Sequence, residues 1–318
     1  MKLSVFKYMA IAAVCALSAG MTACSDEPDA KSIFVDEDEL NPVAPTYQLD
    51  YFLENNFREP YNVAFYYKMK DVLTNRNYNL TPAEYQKSVD LAVLCKYLWF
   101  DVYQSVVEDK EFLAKYGPRI IHLIGSSAIN AANGTELLGT AEGGIMITLY
   151  KVNYLNPTDF TTLNEWYFET MHHEFAHVLH QTKTYPKEFD SVSVGYYDAL
   201  NWQDRSNKTA NMLGFVTPYA SSEAREDFAE TIARYITMTD KEWNTVLANA
   251  AASTETAFDA QANILSKLDI ARNWFRDSWG MDLDALRAEV QKRQNELTEQ
   301  KMAELRAQVY DIPVPAAK

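Results

Sequence analysis

Cysteine is scarce in this chain of 318 residues: Cys15 and Cys24 fall near its beginning, and Cys95 sits in an apolar stretch where it reads as plain packing. No disulfide framework is available, so the fold must rest on its core and on any metal it binds. Long apolar runs are missing too. The run Tyr8 to Leu17 falls well short of the roughly 20 apolar residues that a spanning helix needs. Positive charge is in deficit, with 29 Lys and Arg against 44 Asp and Glu and a formal charge of -15, which argues against nucleic acid as a partner. There is no internal repeat.

What is present suits an ordered enzyme-sized domain, because 47% hydrophobic residues is ample for a core and the length allows one large domain or two ordinary ones. Residues 1–23 read as a signal peptide: Lys2 and Lys7, a short apolar run, then small residues leading to Met21-Thr22-Ala23-Cys24. That ending resembles a bacterial lipobox, which implies a lipidated Cys24 and anchorage to a membrane. Residues 24–45 are acidic and polar and read as a flexible tether. In some anaerobic Gram-negative bacteria, acidic residues after the lipidated cysteine resemble the signal for the outer face of the outer membrane. Residues 46–318 would form the folded domain. Losing Lys2 and Lys7 moves the formal charge from -15 to -17.

Histidine is as rare as it is concentrated. Of five in the chain, four (His172, His173, His177, His180) lie within Met171 to His180. His173, Glu174 and His177 spell His-Glu-x-x-His, and on a helix the two histidines stand one turn apart on one face. Two neutral imidazoles can hold one zinc ion there, with Glu174 placed to act as general base toward a water. Phe168, Met171, Phe175 and Val178 repeat at helical spacing and predict a buried opposite face. Thr162 with Glu165 predicts a capping box at the start, and Pro186 bars continuation at the end.

Elsewhere, Asn62 to Asp71 alternates like a half-buried strand, and Thr81-Pro82-Ala83-Glu84 predicts a capped helix running to about Val107. A short helix near Lys110 to Tyr116 should end at Gly117-Pro118. Arg119 to Gly125 reads as a buried strand, making His122 a core histidine and not a ligand. Asn133-Gly134 marks a turn, with strands over Thr135 to Ala141 and Ile145 to Val152. The second precedes the metal helix and is either the sheet edge on which an extended substrate lies or an internal strand. The aromatic stretch to Pro218 could line a cleft or cover the core. Ser222 to Met238 predicts a helix with Phe228, Ile232 and Tyr235 on one face, Glu226 and Glu230 on another, and Ala229 and Ala233 permitting close approach. Ile264 to Trp279 is a further helix ending at Gly280, and Asp282 caps a long one to about Val309.

A catalytic zinc takes three protein ligands and keeps a position open. Lys183 occupies the place where some zinc peptidases have a third histidine. His180, roughly 10 Å along the helix from His173, is too far to share one ion and is assigned a supporting place. A carboxylate from the Glu226/Glu230 face is the simplest third ligand. His172 and Asp227 turn away from their neighbours and read as structural or supporting residues.

The run from Tyr219 through Glu226-Asp227-Phe228-Ala229-Glu230 resembles the second motif of the zinc endopeptidase domain of anthrax lethal factor. That resemblance implies Glu226 as the third ligand, Tyr219 as donor to the oxyanion, and Glu230 in support one turn on. More of the chain, from the lipobox through Gly214-Phe215-Val216, Glu226 to Glu230 and the helix over Leu283 to Val290, is similar to the zinc-binding metallopeptidase lipoproteins. These are also called substrate import-associated zinc metallohydrolase lipoproteins. They accompany TonB-dependent outer-membrane importers.

The expected protein is therefore α+β: a mainly helical, zincin-like metalloprotease domain with a small mixed sheet and a helical C-terminal part. Its expected function is peptide hydrolysis by a zinc-activated water on an outer-membrane lipoprotein facing outward, tied to nutrient import, with peptide or protein as substrate. The alternative is a zinc-stabilised accessory that binds peptide or glycoprotein with weak or absent catalysis. An enzyme requires Glu174; a binding module requires only the ligands.

Overall fold

The computed structural model describes residues 40–75, 77–129, 136–137, 139–142, 145–254 and 259–315. The expected signal peptide, Cys24, most of the expected tether and the expected Asn133-Gly134 turn lie outside the described residues. Helices dominate, and a small sheet joins them. The first helix, α1 (Tyr47–Leu53), runs on through a wide π turn at Glu54–Arg58, and β1 (Ala64–Tyr66) follows. Next comes α2 (Tyr85–Cys95), which continues through a second π turn, Lys96–Phe100, into Asp101–Val106. After α3 (Phe112–Tyr116) the strands β2 (Ile120–Leu123), β3 (Ala128–Ile129), β4 (Glu136–Leu137), β5 (Gly139–Glu142) and β6 (Met146–Leu149) appear in turn.

The sheet has the order β1-β2-β6-β5, with the first three strands parallel and β5 antiparallel to β6. This decides which strand is the edge. The strand before the metal helix, β6, is internal, and β5 is the outer strand beside it. All four residues of β6 are buried, as a strand covered on both faces should be. β3 and β4 form a separate two-stranded pair.

The metal helix α4 (Glu169–Thr182) is reached through Phe160–Leu163 and a third π turn, Asn164–Phe168. Its start differs from the expected capping box. Asp159 is the cap, its carboxylate accepting from the Thr162 backbone N–H at 3.2 Å and from the Thr162 hydroxyl at 2.8 Å, so Thr162 lies inside the helix. An aspartate one turn earlier is at least as good a cap as threonine. Leu163, Tyr167, Met171, Phe175 and Leu179 are all buried at intervals of four, a spacing that the wide turn keeps on one face.

Beyond α4 come α5 (Glu188–Val192), a 3-10 turn at Trp202–Asp204, α6 (Asn207–Met212), a second 3-10 turn at Tyr219–Ser221, and α7 (Ala224–Thr237). The C-terminal part holds α8 (Asp240–Ala251), α9 (Ala260–Trp279), α10 (Leu283–Asn295) and α11 (Glu299–Tyr310). Gly280 closes α9 in the left-handed conformation at φ 61°, and Asp282 caps α10. The single long helix expected to Val309 is two: it breaks after Asn295, Leu297 turns inward, and Thr298 caps α11 by accepting from the Lys301 N–H. The break leaves Leu283, Leu286 and Val290 buried on α10, and Met302, Leu305 and Val309 buried on α11.

Two other expected starts also shift. Only Ala64–Tyr66 of the first alternating run pairs as strand. Thr81 and Pro82 are extended, because Gly125 N–H donates to the Thr81 carbonyl and Asn153 donates to the Pro82 carbonyl. A Cβ on Gly125 would stand 2.1 Å from that Pro82 oxygen, so glycine is required there. Helix α2 accordingly begins at Tyr85, after the Glu84 N–H is taken by Asn153 at 2.7 Å.

One large apolar core joins the sheet and the helices, and Trp99, Tyr103 and Phe175 meet edge to face or tilted within it beneath α4. Cys95 is fully buried there, and burial pushes its thiol up. His122 is buried in β2 and accepts from the Lys70 N–H at 3.1 Å, a core histidine as expected. Among the described residues no helix is long and apolar enough to cross a membrane.

Candidate metal centre

α7 packs along α4 more extensively than any other helix does, and Ala229 and Ala233 are fully buried on it. This brings two helix faces together, each with functional residues one turn apart. His173 Nε2 and His177 Nε2 lie 3.0 Å from each other, and Glu226 Oε2 lies 3.0 Å from the first and 3.2 Å from the second. Each ring's other nitrogen is already engaged. His173 Nδ1 meets Glu230 Oε1 at 2.9 Å, and His177 Nδ1 meets His180 Nε2 at 2.8 Å.

The donor set tests whether a metal fits. With Nδ1 donating, each neutral ring turns a lone pair toward the other ring and toward a carboxylate oxygen. Three acceptors converging on one point call for a cation. A tetrahedral zinc with ligands at about 2.0–2.1 Å keeps its donors roughly 3.3 Å apart, close to the triangle found here. A proton is the competing cation. Burial pushes His173 down, but its hydrogen bonds with Glu226 and Glu230 more than reverse this and carry it up to about 10. Burial raises Glu226, and the two histidines then hold it well below the usual carboxylate range.

Glu230 is held from three sides. Burial would raise it, yet Arg234, His173 and Thr217 bring it to about 2. Thr217 Oγ1 donates to its Oε2 at 2.6 Å, and Arg234 Nε lies 3.3 Å from the same oxygen. Arg234 also pairs with Glu169 at 2.5 Å, one turn before His173 on α4. The chain of contacts from His173 through Glu230, Arg234 and Glu169 thus returns to its own helix. Thr217, Arg234 and Glu169 were not singled out from sequence. Spacing is a signal for two of them, since Arg234 stands four residues after Glu230 and Glu169 four before His173, while Thr217 has none.

Glu174 lies in a crevice with Pro118, Ile147, Phe175 and Val178, and makes no hydrogen bond or ion pair among the described residues. Burial raises it above the ordinary carboxylate value, while His173 and His177 pull the other way. Tyr219, in the 3-10 turn before α7, is 38% exposed, with its ring 5.8 Å from that of His173. Burial, followed by the carboxylate of Glu226, pushes its phenol up. Trp202 packs against Tyr219 at 5.0 Å, another contact that no periodicity announces.

His180 touches His177 and not the metal point. Burial and the neighbouring His177 bring it down to about 4, so at neutral pH it keeps the lone pair that His177 needs. His172 turns away into the core, where the Tyr103 hydroxyl lies 2.9 Å from its Nδ1. Asp227 also turns away. It is fully buried and pairs with buried Lys267 at 2.6 Å, while the Tyr197 hydroxyl donates to the same oxygen at 2.9 Å. Burial pushes Asp227 up and Lys267 down, and their mutual attraction opposes both.

Among the described residues, His173, His177 and Glu226 are the one group of three or more such side chains that could hold a metal ion. Residues 43–284 match the model of a family described as "Putative zinc-binding metallo-peptidase". The chain belongs to that family. A crystal structure of a protein of the same description, from Bacteroides caccae, is 39% identical with a TM-score of 0.70, and the match covers 80% of this chain and 94% of that one. No curated protein matches. The family is described as zinc-binding, and the converging donors on α4 and α7 are where this chain can hold that ion.

Proposed function

We propose that this chain is a zinc metallopeptidase that hydrolyses peptide bonds, with His173, His177 and Glu226 as ligands, Glu174 as general base and Tyr219 as oxyanion donor. The observation that carries this is the convergence of three acceptor atoms within 3.2 Å, next to Glu174, whose carboxylate makes no hydrogen bond or ion pair among the described residues. Zinc held by His173, His177 and Glu226 would supply an acidified water, its pKa lowered toward about 7, and a Lewis acid for the carbonyl. Glu174 takes the water's proton and delivers it to the leaving amine. The Tyr219 hydroxyl donates to the carbonyl oxygen as it gains charge.

The substrate lies extended along β5. That strand pairs on one side with β6, and Ala141 stands opposite Ile147, which lines the crevice of Glu174. Backbone groups on the outer side of an edge strand are suited to receive a peptide as one more strand. We further propose that Cys24 is lipidated, that the domain is displayed on the outer membrane facing outward, and that it serves an import system, a reading supported by the lipobox-like segment and the acidic tether.

The decisive experiment is Glu174→Gln in the zinc-loaded protein, assayed on a peptide library. Zinc content should stay at about one per chain while cleavage is lost. Undiminished cleavage by the variant would remove Glu174 from the mechanism; a wild type that binds zinc and peptide but cleaves nothing would install the accessory-binder reading instead.

A further inference from the structure

The segment between α4 and α7 contains a turn that holds apolar surface out into solvent. Leu200 is 85% exposed and Trp202, two residues on, is half-buried. The turn is fastened closely. Asp198 N–H donates to the Ser221 carbonyl at 2.8 Å, and the Asp198 carboxylate accepts from the N–H groups of Leu200 and Asn201 at 3.3 and 3.1 Å. Arg205 donates to the Tyr196 carbonyl at 2.9 Å, and Tyr197 reaches the buried Asp227. A loop this well tied fixes where its side chains stand.

One of them, Trp202, stands one ring away from the metal centre. Trp202 meets Tyr219 with ring centroids 5.0 Å apart at 64°, and Tyr219 in turn lies 5.8 Å from His173. Tyr219 remains 38% exposed. A peptide whose carbonyl reaches the Tyr219 hydroxyl brings its neighbouring residues within reach of Trp202. An exposed leucine two residues from a half-buried indole in the same turn gains from covering by another apolar group and offers no charge to a polar one.

We propose that Leu200 and Trp202 form a subsite for a bulky apolar side chain of the substrate, next to the scissile bond. This rests on reading the centre as a peptidase. It deepens that reading by naming the substrate class: peptides with Leu, Phe or a similar residue beside the cleaved bond.

The test uses zinc-loaded protein and pairs of peptides identical except for Phe or Ala at each position flanking the cleaved bond. Wild type should favour Phe at one position by about 10–200-fold in kcat/KM, the range that apolar pockets deliver. In Trp202→Ala and in Leu200→Ser that ratio should fall to a few-fold. A ratio kept in both variants overturns the subsite, as does an equal fall on both peptides, which would mean that Trp202 acts only through Tyr219. If wild type cleaves no peptide, the peptidase reading fails separately, and the same pairs are measured for binding. A Phe preference in Kd that Trp202→Ala abolishes then sustains the subsite, and equal binding of both peptides removes it.

Discussion

The Nδ1 of His177 faces Nε2 of His180 across 2.8 Å, so a residue one turn beyond the metal motif orients one of its ligands. Supporting groups of this kind fix ring orientation and raise ligand basicity. His180→Ala should weaken zinc binding by about 10–100-fold, the usual cost of losing such a partner. Chelator competition would measure it, and an unchanged zinc affinity would show that His180 merely packs.

The two glutamates of α7 make unequal demands. Glu226→Gln replaces an anionic donor by a neutral amide and should strip most of the zinc, whereas Glu230→Gln, which touches His173 from the far side, should lower affinity less. Elemental analysis of protein prepared without added metal separates the two. If Glu230→Gln loses the ion and Glu226→Gln keeps it, their roles exchange.

Lys267→Met leaves Asp227 as an uncompensated charge at full burial. The expected cost is about 3–5 kcal/mol in urea unfolding, and the double change with Asp227→Asn should recover much of it. A loss below about 1 kcal/mol for the single variant would mean that Asp227 is neutral in the native state.

His122 supplies a pH dependence whose sign can be worked out. Burial, then the charge of Lys70, hold it down to about 4 in the native state. The unfolded chain, with an ordinary histidine, binds the proton first, so stability falls as pH drops from about 6.5 to about 4 and is complete above that window. Protonation would also set a donor against the Lys70 N–H that the ring now accepts. His122→Gln should flatten the stability profile across this window by up to about 1.4 kcal/mol per pH unit. Parallel profiles for the two proteins would assign the acid sensitivity elsewhere.

Much of the centre was legible because it is local. His173 and His177, and Glu226 and Glu230, speak through spacings of one helical turn, just as Gly280 and Asp282 mark the boundary between α9 and α10. What sequence left open depends on distant partners. Whether β6 or β5 is the edge follows from pairing between segments, and Thr217 gains its task only when α7 brings Glu230 beside it. The displaced helix starts share that cause. Thr81 is drawn into extended pairing with Gly125, and Asp159 takes the cap by accepting from the Thr162 N–H, three residues before the expected cap. Trp202 lies in a stretch without periodicity, where no pattern distinguishes a cleft wall from a core cover.

The turn fastened by Asp198 lies wholly between the two helices that carry the metal donors. On the function proposed above, chemistry and selectivity occupy separate stretches of chain, joined at Tyr219. Changes at positions 199–204 would then alter which peptides are cleaved without touching any of the three converging donors on α4 and α7.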